Sequence, residues 1–467
     1  MILATWSVAC PAATLVSSSA SSDAVGPTMA MFTSTESTPR TIIRVAFVDG
    51  VSGGTSSPGT DIHIRDYDGS MNYLGEHTVL LSGTDSSKRR YTMPNLSRDG
   101  LGIVFYGTTN TSYPLPTNVF FASLSSTPYT SSGTVTASSP SYEGAGPVGT
   151  LGQSTTLFSN VYARPPAISN KDSNGGFLIV WPDLYAESVG SGGTGGSGGA
   201  GLLFRSQRNS SLSFMYPTSA PASNDAVLPA PGDPLARLQG TPYTPLMYWD
   251  TYSGGNADIS GTNNWTEPAV SSDKSVLAFA YQSQIYRATG GRSSWSSNTS
   301  VISQYGGSNG NAASQWPEID GDGGTIVFST DATNLRSSDT NSMRDIYYWT
   351  SSTGVVLAYN DPGEWAGSSC DYPTISPSGE AMAFQSSNKG FLSSTVNYSN
   401  RLGPFVYYVT VGTPSDLKLW SYSSSSSTDA RNATSPCIAD TKNMVFQTCD
   451  TGLASGDTRS GIDVIYN

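Results

Sequence analysis

The stretch GDGGTIVFSTDATNLRSSDTNSMRDIYYW, Gly321 to Trp349, returns 118 residues later as ADTKNMVFQTCDTGLASGDTRSGIDVIYN, Ala439 to Asn467. Aligned without a gap, the copies agree at twelve positions, among them Val327/Val445, Phe328/Phe446, Leu335/Leu453, Asp345/Asp463 and Tyr348/Tyr466. Each copy reads as a strand, a tight polar turn, an apolar strand, a loop, then a strand that opens with Asp. Looser versions occur at MPNLSRDGLGIVFYG, PPAISNKDSNGGFLIVW, EPAVSSDKSVLAFAY and YPTISPSGEAMAFQS, and PTMAMFTS with IIRVAFVDG fits the same slots. A fourth apolar piece usually follows, as in GVVLAYN and HTVLLS. A four-stranded meander cannot bury both faces alone, so such units must stack, and a ring leaves no end unit exposed. The expectation is an all-β fold: a seven-bladed β-propeller of four-stranded antiparallel blades. The blades are placed at 27–82, 93–158, 165–216, 267–304, 316–360, 372–422 and 435–467, with long insertions at 182–201 and 217–266.

The last copy stops after its third strand, which would leave an open sheet edge. Ile2 to Ala9, within residues 1–10, belong to no other unit and are expected to supply the missing strand. The ring would then close by pairing the N-terminus with the C-terminal blade.

Pro-x-Ile-Ser with an Asp/Gly turn, then Ile-Val-Phe-Ser, Asp-Ala-Thr-Asn-Leu, Ser-Asp-Thr-Asn and Asp-Ile-Tyr, resembles the PD40, or TolB-like (WD40-like), propeller repeat. The match is specific at 317–349, good at 436–467 and fair at 373–409; elsewhere it is degenerate. The resemblance implies the fold and a binding or scaffolding role, and it brings no catalytic residues with it.

Composition narrows the partners. Net charge is −12 and pI near 4.6, which disfavours nucleic acid and anionic lipid. Only 12% of residues are charged while 37% are hydrophobic, so the chain is a folded one rich in small polar turns. No apolar run reaches membrane-span length. MILATWSVAC is apolar but lacks a basic n-region, and Ser-Val-Ala-Cys only loosely fits a lipoprotein cleavage site.

Four cysteines suggest a secreted protein with one or two disulfides; the candidate pairs are Cys370 with Cys437 and Cys10 with Cys449. Seven sequons, at Asn95, Asn110, Asn209, Asn264, Asn298, Asn397 and Asn432, are possible glycosylation sites, about as many as this Ser/Thr-rich composition yields by chance. Catalytic machinery is not expected. Gly195–Gly199 fits G-x-S-x-G formally, but His63 and His77 both precede it and no helix follows. Asp320 and Asp322 suit a hairpin turn better than calcium. Asp61, Asp345 and Asp463, each opening a third strand, are read as structural carboxylates accepting backbone N–H groups. Neither a cofactor nor a metal is expected.

In a meander the turn between strands one and two emerges on one rim, while the loop between strands two and three and the blade-to-blade connections emerge on the other. The first turns are uniformly short, whereas the added chain decorates the second rim. GSGGTGGSGGAG, Gly190 to Gly201, is read as one of these loops, with FLIVW and GLLF as partners in one blade. Trp249, Tyr252, Trp265, Trp295, Trp316 and Trp365 lie near the connections and could stack on sugars, though packing is the simpler use. The leading expectation is a non-enzymatic extracellular propeller at the cell surface. It would act as a structural or interaction subunit, binding a protein partner or copies of itself through the loop-rich face, and could assemble into filaments. A carbohydrate-binding, lectin-like propeller is the alternative, and a glycosidase or sialidase stands third.

Overall fold

The inner strands carry a proline where a sheet interior would reject one. In the computed structural model a register shift falls at Val25/Thr28, Thr92/Asn95, Thr266/Ala269, Gln315/Glu318, Asp371/Thr374 and Thr434/Cys437, each time around a proline. The residue before that proline has a left-handed backbone in all six: Gly26 (φ 62°), Met93, Glu267, Trp316, Tyr372 and Ser435 (φ 52–56°). Proline has no N–H to give to a ladder, so it is confined to sheet edges and bulges. Here the edge faces the axis of a ring. The bulge amides are in turn held by neighbouring side chains: Gly26 N donates to Gln447 Oε1 (3.0 Å), Ser435 N to Gln385 Oε1 (2.9 Å) and Trp316 N to Glu267 Oε2 (2.6 Å).

Structure is described for residues 14–17, 23–51, 61–81, 90–108, 118–138, 165–182, 186–189, 201–204, 246–250, 256–258, 266–291, 294–295, 297–337, 339, 342–359, 369–392, 395–398, 403–423, 426–450, 453–454 and 462–466. The first sheet holds Asp23–Thr33, Thr41–Val51, Asp61–Asp68 and Tyr73–Leu81, with Gly133–Ala137 as a fifth strand. The second holds only Arg90–Leu96, Gly102–Thr108 and Asn118–Ser123. The third is Ala167–Ile168, Leu178–Pro182, Leu246–Asp250 and Asn256–Asp258, and the fourth Thr266–Val270, Val276–Tyr281, Gln284–Thr289 and Thr299–Val301. The fifth is Ser314–Ile319, Thr325–Thr330, Asp345–Thr350 and Gly354–Leu357. The sixth is Cys370–Ile375, Ala381–Ser386, Phe405–Thr410 and Thr413–Leu419. A closing sheet joins Thr434–Ile438, Met444–Thr448 and Asp463–Tyr466 to Thr14–Leu15.

The fold is thus an all-β propeller, but not seven four-stranded antiparallel blades. Among the described residues six sheets reach the four strands of a full blade, while the second stops at three. Gly133–Ala137, inside the bounds 93–158 given to the second blade, pairs with Tyr73–Leu81 of the first sheet, and it does so in parallel. A buried arginine explains the diversion. Arg44, fully buried, chelates Asp66 through Nε (2.8 Å) and Nη2 (2.7 Å), and its Nη1 donates to Gly100 O (2.6 Å) and Ser125 O (2.9 Å). Tyr129 donates its amide to Asp66 (2.8 Å) and covers the guanidinium from 4.6 Å, with Phe32 at 4.8 Å. The segment leaving the second sheet is thereby pinned to the first, and the next residues extend that sheet.

The third blade also differs from expectation. Leu178–Pro182 pairs with Leu246–Asp250, while Gly201–Phe204 folds back on Ala186–Val189 as a separate hairpin. The boundary at residue 216 is therefore displaced, and part of 217–266 is blade, not insertion. Two short apolar runs competed for one slot, and periodicity cannot rank them.

Ile2 to Ala9 lie outside the described residues; the edge of the closing sheet is occupied by Thr14–Leu15, with Thr14 opposite Tyr466 and Leu15 opposite Ile465. The short strand is reinforced. Val16 N and Ser17 N both donate to Val464 O, Ser17 Oγ donates to Asp463 (2.7 Å), and Ile462 N donates to Asp23 (2.8 Å). Arg65 of the first sheet donates to Val16 O and pairs with Glu76, which also accepts from His63 Nδ1 (2.7 Å).

Blade faces pack on one another through alternating apolar residues, for example Phe328, Tyr347, Phe384 and Tyr407 across the fifth and sixth blades. The first turns add a backbone belt. Asn170 N donates to Ser272 O (3.1 Å), Ser272 N to Gly321 O (2.9 Å) and Gly321 N to Pro377 O (2.8 Å). On the second sheet's side, Asp99 N donates to Asn170 Oδ1 (3.0 Å) and Lys171 N to Asp99 Oδ2 (2.7 Å). The approach at Gly321 is so close that a Cβ would stand 2.7 Å from Pro377 O, which is why glycine occupies this turn.

Candidate functional site

The inner strands enclose a well along the ring axis. The residue after each bulge proline lines it: Thr28, Asn95, Ala269, Glu318, Thr374 and Cys437. Inner strands run from the connection rim to the turn rim, so the two ends differ. Toward the connections the well widens to about 420 Å³ beside Gly26, Met93, Tyr372, Gln385, Ser435 and Gln447. Toward the belt it narrows to about 70 Å³ beside Leu96, Arg98, Ile168, Val270, Ile375 and Ile438.

Two charges line the narrow section, Arg98 on the wall near the belt and Glu318 opposite. Arg98 Nη2 stands 3.9 Å from Glu318 Oε2, an ion pair without a hydrogen bond, and Nη1 is buried without a hydrogen-bond partner. Burial pulls the Arg98 pKa below its usual value, against the opposing pull of Glu318 and Asp320. Asp320 is a turn residue: its Oδ2 accepts the Thr325 amide (2.9 Å), as Ser97, Ser271 and Ser376 Oγ accept the amides of Gly102, Val276 and Ala381. Burial raises its pKa, partly offset by the Thr325 amide. Serine does the same work in these sister turns and at Ser169, which accepts the Leu178 amide, so the Asp320–Asp322 pair is a hairpin feature. Among the described residues no group of three or more His, Cys, Asp or Glu side chains could hold a metal.

At the connection rim Trp316 and Tyr372 stack with ring centres 4.5 Å apart, and Arg344 lies 5.1 Å over Trp316 while bonding Asp331 (3.1 Å) and Asp371 (2.8 Å). Trp295 is fully buried. Of the other tryptophans named above, Trp249 lies in a third-blade strand, and Trp265 and Trp365, like Tyr252, fall outside the described residues.

The cysteine pair read from the sequence does not form: Cys370, Cys437 and Cys449 are free thiols. By the Tyr372-Pro373-Thr374 and Ser435-Pro436-Cys437 alignment, Cys437 matches Thr374, four residues beyond Cys370. At roughly 3.3 Å per residue that is about 13 Å along neighbouring strands, well past the reach of a disulfide. Burial pushes the Cys437 thiol up to about 11 and raises Cys370 further. Cys10 lies outside the described residues, and with it the pairing to Cys449.

Among the sequons, Asn95 is a well residue whose Nδ2 donates to Pro166 O (3.0 Å), a place unsuited to a glycan. Asn298 is exposed, Asn397 bridges to Asp429, and Asn432 Oδ1 is buried. Asn110, Asn209 and Asn264 fall outside the described residues. Two of the repeat aspartates accept from hydroxyls. Asp345 accepts from Tyr359, Asp463 from Ser17, and Asp61 sits opposite Asp49 at the start of its strand. His63 and His77 belong to the first sheet, away from the well; His77 packs edge-on to Tyr129. Sequence reasoning missed Arg98 and Glu318 because they come from different blades and match no motif. The bulge prolines, by contrast, were legible as a repeated x-Pro-x-aliphatic phrase.

No family model matches the chain, and no curated protein does either. Solved propellers do. An oligogalacturonate lyase in complex with manganese aligns over 96% of this chain and 98% of its own at 10% identity (TM-score 0.45). The β-propeller domain of the Trilobed protease from Pyrococcus furiosus aligns over 88% and 96% at 8% identity (0.34). A putative TolB from Agrobacterium tumefaciens aligns over 70% and 79% at 11% identity (0.31). The TolB-like repeat read from the sequence fits this architecture.

Proposed function

We propose that the protein is a non-enzymatic, extracellular interaction propeller that docks a protein partner, or further copies of itself, on the connection rim. One observation carries the reading. The first turns are short and tied into a belt from Asp99 to Pro377, so one rim is built for rigidity and the variable chain falls to the other. On that other rim the Gln304–Asn309 hairpin lifts Tyr305 into solvent, 49% exposed, braced by Arg336 at 4.7 Å. Sparse charge and abundant small polar residues suit repeated protein contacts outside the cell.

Light scattering and electron microscopy of the purified protein test this reading, with Tyr305→Arg on the docking rim and Ser352→Arg, in an exposed turn on the belt side, as control. Assembly or partner capture lost in Y305R and kept in S352R supports it; equal behaviour of the two refutes it. The exposed Tyr305 ring also suits stacking against a sugar. Glycan-array binding by a protein that stays monomeric would favour that second reading.

A further inference from the structure

The two charges of the well stand close without satisfying one another. Arg98 and Glu318 are 3.9 Å apart, and Arg98 Nη1 has no hydrogen-bond partner although it is buried. The neighbouring carboxylate, Asp320, gives Oδ2 to the Thr325 amide and keeps Oδ1 buried without a hydrogen-bond partner, but it stands outside the lining of the well. Asn95 is likewise committed to Pro166 O, and Thr28 Oγ1 accepts the Leu96 amide (3.1 Å). Among the residues that line the well, the unspent capacity is therefore one cationic donor and one anionic acceptor, side by side in a confined, half-buried place.

That arrangement discriminates by charge. A lone anion on Arg98 would lie against Glu318, and a lone cation on Glu318 would lie against Arg98; either leaves a close like-charge contact in a half-buried place. A ligand with both charges a bond or two apart gives each group its counter-charge and adds no net charge to the site. We infer that the well binds a free α-amino acid with an apolar side chain, its carboxylate on Arg98 and its ammonium on Glu318. The order of the walls sets the orientation. Arg98 belongs to the narrow 70 Å³ section alone, Glu318 borders both sections, and the 420 Å³ section above offers Met93, Pro94 and Tyr372 to the side chain. The site lies below the docking rim and goes beyond the proposed role there, so each reading can fail alone.

Calorimetric titration of the intact protein with L-phenylalanine, L-leucine, 3-phenylpropanoate and phenethylamine tests the assignment. Expected is saturable binding of at least one amino acid, with both single-charge analogues weaker by roughly tenfold or more, about 1.4 kcal/mol. Arg98→Gln should weaken the amino acid by at least about tenfold. Glu318→Gln should invert the preference, so that 3-phenylpropanoate overtakes L-phenylalanine. This inversion is a readout that a misfolded variant cannot produce. No heat from any amino acid at millimolar concentration, 3-phenylpropanoate binding the unaltered protein as tightly as L-phenylalanine, or an unchanged order of ligands in E318Q would each overturn the proposal.

Discussion

Replacing Arg44 by Met tests whether a single buried cation routes the chain between the first two sheets. The substitution keeps an unbranched side chain of related length between Phe32 and Tyr129, so it removes charge and hydrogen bonds more than volume. Four hydrogen bonds disappear: two to Asp66 and one each to Gly100 O and Ser125 O. What remains is a fully buried Asp66 carboxylate facing only the Tyr129 amide. Breaking a buried pair in this way costs about 3–5 kcal/mol, a large share of the ~5–15 kcal/mol by which proteins are stable. The double variant Arg44→Met, Asp66→Asn removes the stranded charge yet keeps an oxygen for Tyr129, and should recover at least ~1–2 kcal/mol of that loss. Urea unfolding followed by tryptophan fluorescence measures both, and amide exchange at Tyr129 reports whether residues 125–131 detach first. A loss below about 1 kcal/mol in R44M, or a double variant less stable than the single one, would refute the assignment of Arg44 as the organising tie.

Other expectations concern the belt, the seam and the thiols. Gly321→Ala drives a Cβ to 2.7 Å from Pro377 O, and should cost about 1–3 kcal/mol in urea unfolding by prising the fifth and sixth blades' turns apart. Burial alone would raise Glu76, but hydrogen bonds and charge from His63 and Arg65 outweigh it and bring the carboxyl down to about 2. A depressed carboxylate stabilises the fold fully above its ordinary value near 4.5, and that contribution drains away as pH falls from there toward about 2. Glu76→Gln should therefore flatten the acid limb of a Tm-against-pH curve in that window while leaving the alkaline limb alone. Iodoacetamide at neutral pH, read by peptide mass spectrometry, should label exposed Cys449 and spare Cys370 and Cys437, whose thiols burial holds protonated. Recovery of a Cys370–Cys437 disulfide peptide would contradict the offset between those two positions.

The duplicated phrase made the propeller legible because each copy is local: strand, turn and strand lie within thirty residues, and the same alternation recurs. Where the structure departs from the reading, a distant contact decided the matter. Gly133–Ala137 falls within the span 93–158 assigned to the second blade, but nothing near it in sequence reveals that Arg44 would hold Ser125. GLLF was read as the partner of LIVWP from its apolar pattern alone, but LMYWD has the same strand-length character and takes that place in the folded chain. The closing strand followed the same rule. The need for an edge partner at Asp463–Tyr466 could be read, yet Thr14 and Leu15 are unremarkable as strand formers and gain their place from Ser17 and Arg65. The well was illegible for a further reason. Its wall draws on every sheet, so Arg98 and Glu318 meet only after the circle is drawn.

The relay of amides along the turn rim ends at Pro377 because an imino nitrogen has no hydrogen to hand on. Along the turn rim, stress applied across the disc is therefore shared backbone to backbone from the third sheet to the sixth, with the Asp99 and Asn170 side chains extending the tie to the second. The remaining arc contains the join between the two chain ends, secured by a strand of two residues. A pulling force or a rising temperature should open this hoop at its clasp, with the banded side parting last.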